Sequence, residues 1–197
     1  MADFDTLLSQ IYSLTNRPDL VAETTLALQS ATLKAHHLDF FPRDLTETAL
    51  TFSVPDYVQQ LAYSSLWPRF RALKYLRKYD TLGQTAGTEF DIITPEKALD
   101  SYKVERYDVC YMAGININIK SSTKDQYMLI GLYQNPDITP LGYNSWIADQ
   151  HPMAIIFAAS LMVFLTIGFQ EQAAAYGNLV ADEYKLLTTS NLGLAGY

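Results

Sequence analysis

The run from Met153 to Phe169 limits what this chain can become more than any other stretch of it, because only Ser160, Thr166 and Gly168 interrupt its apolar side chains. A helix that is apolar all round is stable inside a large core or inside lipid, and nowhere else. A spanning helix needs about 20 apolar residues, with a lower limit near 17, which this run barely reaches. Asp149 and His151 precede it, Gln170 and Glu171 follow it, and no Lys or Arg lies beside it to set an orientation. The run therefore reads as a buried core helix, with a small membrane-associated protein that uses residues 153–169 as the alternative. Asp149 is placed to cap this helix, Pro152 to fall in its first turn and Gly168 to end it.

A core helix needs partners. The chain has 197 residues, 49% of them hydrophobic, enough for one core and one structural domain with an insertion. Phe4, Leu7, Leu8, Ile11 and Leu14 recur at helical spacing, with Asp3 or Asp5 able to cap, and predict a helix that ends near Thr15. Asn16-Arg17-Pro18-Asp19 reads as the start of a second helix that runs to about Asp39. Its stripe of Leu20, Thr24, Ala27, Ala31, Ala35 and Leu38 is small in the middle. Ala27, Ala31 and Ala35 are accordingly candidates for a subunit interface, with ordinary core packing equally open. Gln170 to Leu187 returns to helical spacing after the apolar run, so the two form a helical pair.

The middle of the chain changes period. Leu50, Phe52 and Val54 alternate as in a short strand, and a helical turn is expected from Tyr57 to Leu66. Arg69, Arg71, Lys74, Arg77 and Lys78 make the one basic cluster; its mixed period leaves strand and helix both open, and a solvated or subunit-facing surface is expected, with Arg69 and Arg71 as interface candidates. Tyr107, Val109 and Tyr111, then Ile115, Ile117 and Ile119, alternate in two phases joined by Gly114, which suggests a bulge. Ser121 to Asp125 reads as the turn of a hairpin completed by Tyr127 to Tyr133. The organisation that follows is an N-terminal helical part over 1–68, a β-rich insertion over 69–145, a C-terminal helical pair over 146–189 and an extended arm over 190–197. The fold class is α+β and mainly helical: a helical bundle with a small β-hairpin insertion and an extended C-terminal arm.

Several function classes are disfavoured by residue type. The 14 Lys and Arg against 21 Asp and Glu give a net charge of -7, the wrong sign for gripping a phosphate backbone. The lone Cys110 allows no internal disulfide and no metal finger. Acidic residues at the N-terminus stand where a secretory signal would carry cations. Phosphate-binding, nucleophile-elbow, dinucleotide and zinc-protease motifs are absent from the sequence. His36 and His37 are neighbours on a helix, so their side chains diverge by about 100 degrees, and even with Asp39 they make a poor chelate. The reading is therefore non-enzymatic, without cofactor or metal.

The order of segments, with Thr15-Asn16-Arg17-Pro18-Asp19-Leu20 between two helices, a β insertion, then Trp146-Ile147-Ala148 to Ile167-Gly168 and a polar helix, resembles the head-to-tail adaptor proteins of tailed bacteriophages, tubular protein A type. The resemblance implies a virion protein made in the host cytoplasm, with twelve copies in a ring beneath the portal. Helices would form the ring body, the β insertion would face the tail tube, and DNA would pass through the channel without specific binding. It also implies an arm that reaches the portal, placed here on Leu192, Gly193, Leu194 and Tyr197. Partners would then be the chain itself, the portal and the tail tube or nozzle, with no membrane.

Overall fold

The computed structural model describes residues 3–47, 51–79, 86–98 and 104–194. The chain divides into two compact units, Met1–Asp44 with Asn135–Tyr197, and Leu45–Gln134. The first is helical and is assembled from both ends of the chain. The second is built mainly of strands, with a short helical turn.

In the helical unit, α1 (Phe4–Thr15) begins at Asp3, whose carboxylate accepts the Thr6 amide at 2.7 Å, and ends at Asn16 in the left-handed conformation. Asn16 thus closes the first helix instead of opening the second. Helix α2 (Val21–His36) starts without a side-chain cap, after Arg17 and Asp19 have paired with each other at 2.8 Å. After the β unit, α4 (Trp146–Gln150) is capped by Ser145, and α5 (Pro152–Thr166) opens on Pro152. Asp149 lies inside α4, so the expected cap on the apolar helix is replaced by a break at His151. Gly168 takes φ +80, where a side chain would be strained, and turns the chain into α6 (Gln170–Leu194).

The apolar run is the central helix. Ile155 and Ala159 on α5 are fully buried, and α5 packs against α1, α2 and α6. Phe164 and Phe157 meet Tyr176 of α6 edge-on or tilted, at centroid distances of 5.1 and 5.8 Å. No helix among the described residues is long and apolar enough to cross a membrane.

The β unit overturns the expected bundle with a small hairpin. Nine strands are present among the described residues, in two sheets. In the first, β9 (Gln126–Gln134) pairs with β4 (Phe70–Tyr79) on one side and with β1 (Leu45–Thr46) and β2 (Thr51–Val54) on the other, and β5 (Ala86–Glu89) extends β4. In the second, β3 (Val58–Ala62), β8 (Asn116–Lys120), β7 (Val109–Ala113) and β6 (Asp91–Ile92) lie in that order. Val54, Leu76, Met128, Ile130 and Leu132 from the first sheet share one apolar cluster with Leu61, Cys110, Ile117 and Ile119 from the second.

Three local readings change with it. Val58–Ala62 is an edge strand with only Leu61 buried, so its weak alternation reads as a helical turn; the single helical turn, α3 (Tyr63–Leu66), follows it. Gly114, at φ +59, sits with Ile115 in the tight turn of a β7–β8 hairpin and makes no bulge. Ser121 to Asp125 closes no hairpin: it carries the chain from one sheet to the other, because β8 and β9 belong to different sheets. The bulges are in β4, where the register shifts between Phe70 and Ala72 and between Leu73 and Tyr75. That irregularity broke the alternation of the basic segment and hid a ten-residue strand.

Candidate functional site

The residues singled out in the sequence separate into buried and exposed groups. Ala31 and Ala35 are fully buried and Ala27 is 6% exposed, all in the cluster that joins α2 to α5. Alanines of α5, Ala158 and Ala159, stand in the same cluster, so small residues on both helices permit close approach. The neighbour that the stripe accommodates is a helix of the same chain, which leaves these residues no surface for another subunit. Arg69 is exposed in the turn before β4, and Arg71 is half-buried at the first bulge. The extended arm is corrected too. Helix α6 continues through Leu194, so Leu192, Gly193 and Leu194 are helical, and Tyr197 lies outside the described residues.

The two histidines diverge as their spacing requires. His37 Nε2 meets Asn135 Oδ1 at 2.7 Å, whereas His36 enters the core. There His36 Nδ1 lies 2.9 Å from Asp44 Oδ1, and His36 Nε2 lies 2.9 Å from Ser145 Oγ. Trp146 Nε1 donates to the same Asp44 oxygen at 2.8 Å, and Ser145 Oγ accepts the Ala148 amide at 3.2 Å. Nδ1–H can donate to the carboxylate, and Nε2 stands within hydrogen-bond distance of the serine hydroxyl. The connectivity is that of a serine hydrolase triad, but its chemistry is committed elsewhere. His36, Asp44 and Ser145 are 2%, 7% and 4% exposed, and Ser145 is spent on capping α4. The adjoining cavity, about 230 Å³, is lined by Phe41, Arg43, Trp146 and His151 but not by Ser145. The cluster ties residues 36 and 44, ahead of the β unit, to residues 145 and 146 behind it. None of Asp44, Ser145 and Trp146 carries a sequence motif, so this clamp was legible only in three dimensions.

No group of three His, Cys, Asp or Glu among the described residues is placed to hold a metal ion. Cys110 is buried in β7, and burial, with the Asp91 carboxylate adding to it, pushes its thiol up to about 12. A thiol of that kind is not a nucleophile at neutral pH.

The helical unit also exposes an apolar stripe. Met153, Phe157, Leu161 and Leu165 follow one another at four-residue spacing on α5; Met153 is 42% and Leu165 52% exposed, and the two between are half-buried. A groove of about 380 Å³ runs beside this ridge, lined by Gln10, Ser13, Leu14, Met153, Ile156 and Phe157. Among the described residues, no charged side chain lines it. In an all-apolar helix the sequence does not reveal which stripe stays uncovered.

Charge is divided between the units. The β unit carries ten basic and ten acidic residues, so the helical unit, with four basic and eleven acidic, holds the entire net charge of -7. No protein-family model matches this chain, and no curated protein matches it.

Proposed function

We propose that the chain is a structural virion protein of the head-to-tail adaptor kind, whose copies form a ring that joins the portal to the tail tube and leaves a channel for DNA. The observation that carries this reading is the nesting of the two units. Two helices, a β unit and further helices follow in the order that the adaptor resemblance implies, with the helical unit built from both chain ends.

Two further features support it. The uncharged ridge and groove of α5 and α1 offer lateral contact area on a unit that is otherwise acidic, and exposed apolar stripes of this kind mark interaction surfaces. The concentration of negative charge in the helical unit suits a ring body around a channel, because an acidic wall repels the DNA backbone, whereas a basic wall would hold it by releasing counterions. A ring needs heterologous contacts, in which different surfaces of successive copies meet and close by rotation.

Removing the gene from a phage that encodes the chain tests the reading. The expected result is heads that package DNA, fail to retain it and carry no tail. Complete, infectious particles without the protein would refute the assignment.

A further inference from the structure

We propose that successive copies are joined by ion pairs between Arg69 and Lys74 of one copy and Glu171 and Asp182 on α6 of the next. The proposal rests on the ring reading above and specifies which surfaces meet.

The basic side follows from the irregularity of β4. Each register shift adds one residue to β4 against β9, at Arg71 and at Lys74. Such bulges on a strand edge turn side chains away from the ladder and discourage strand addition, and cations there do the same. Over its first half β4 has no partner strand on the side away from β9 among the described residues, since β5 joins only at Arg77 and Tyr79. This edge therefore presents charge beside a hydrogen-bonding row that the bulges interrupt. Arg77, Lys78, Arg106 and Lys120 are each paired with a carboxylate of the β unit. Arg69 and Lys74 are exposed, and among the described residues neither makes an ion pair within its own copy.

The acidic side lies on α6. Glu171 and Asp182 are exposed and likewise make no ion pair among the described residues, and eleven residues of helix is three turns, which puts both on one face. They stand about 16 Å apart along the axis at 1.5 Å per residue. Arg69 stands in the turn before β4 and Lys74 at the second bulge, so the two lie closer than the about 17 Å that five fully extended residues span, and their long side chains splay to make up the difference. Ala175 and Asn178, exposed between the two carboxylates, are small enough to let a strand edge approach. The occupant is a second copy because the cationic edge of the neutral β unit complements the acidic helical unit of the next copy.

Sedimentation of the full-length chain at about 50 and about 500 mM NaCl tests this. Self-association should weaken about tenfold at the higher salt, as two exposed pairs would allow. Either R69E/K74E or E171K/D182K should leave folded monomer at both salts, and the four changes together should restore association. Salt-independent association, a wild type that stays monomeric at low salt, or a double variant that assembles normally would overturn the pairing. Images of each protein on the portal ring separate this from the adaptor reading. If R69E/K74E still forms complete rings there, the pairing fails and the adaptor reading stands; if the wild type never binds the portal, the adaptor reading fails.

Discussion

Asp44 is where the buried polarity of the helical unit converges, because one carboxylate oxygen accepts from both His36 and Trp146. Asp44→Ala would remove the acceptor that His36 and Trp146 share and should cost about 3 kcal/mol in chemical denaturation, with a red shift of Trp146 emission. A loss under about 0.5 kcal/mol would show that the clamp contributes nothing. Gly131 makes a steric claim at the same scale. A Cβ there would stand 2.5 Å from the Tyr75 ring, and that ring is also the platform for the Arg77 guanidinium at 4.3 Å. Gly131→Ala should cost about 1–3 kcal/mol, and less in a Tyr75→Leu background, a coupling that a double-mutant cycle reads directly. Cys110 gives a pH signature. Its thiol is raised in the fold to about 12, against about 8.5 for a free thiol, so the unfolded chain gives up the proton first. Its contribution to stability is therefore intact below about pH 8.5 and lost as pH rises towards 12. Native protein should resist thiol reagents at pH 8, and protein in urea should react at once.

At the scale of elements, α5 sets the order of sensitivity. Ile155→Asp buries an unpaired charge at a fully enclosed position and should unfold the helical unit, while Leu165→Asp at the exposed end should shift stability by no more than about 0.5 kcal/mol. Equal effects would mean that the burial gradient along α5 is wrong. Truncation after Thr189 retains Leu187, the last buried anchor on α6 among the side chains described, so the melting temperature should move by no more than about 3 °C. Elements of this kind were legible because helical spacing survives single faults: Phe4, Leu7 and Ile11 point to one face however the ends fray. The strands were legible where alternation was clean, as at Ile117 and Ile119. They were lost where bulges at Arg71 and Lys74 reset the phase, and where Val58 to Ala62 buries one side chain only. Sheet membership was not legible at all. Ser121 to Asp125 has turn chemistry whether it closes a hairpin or changes sheet, and only contacts distant in sequence decide.

For the whole molecule, the division of charge supports the adaptor proposal beside the nesting of the two units. A chain whose helical unit holds all of the net charge of -7 should leave the mobility of duplex DNA unchanged at about 150 mM salt, and a retarded band would remove the reason for an acidic channel. The site residues were less legible than the composition, for a physical reason. Small-residue stripes satisfy a neighbouring helix in the same chain as readily as one in another, so Ala27, Ala31 and Ala35 gave no hint that α5 would fill them. The uncharged ridge on α5 and the edge of β4 emerge only once packing has shown what remains uncovered. The most direct test of the adaptor proposal is electron microscopy of the purified full-length chain, alone and mixed with the portal ring of the same phage. The account predicts a closed ring of twelve copies with an open bore, seated on the portal. A chain that stays strictly monomeric both alone and with the portal would contradict it.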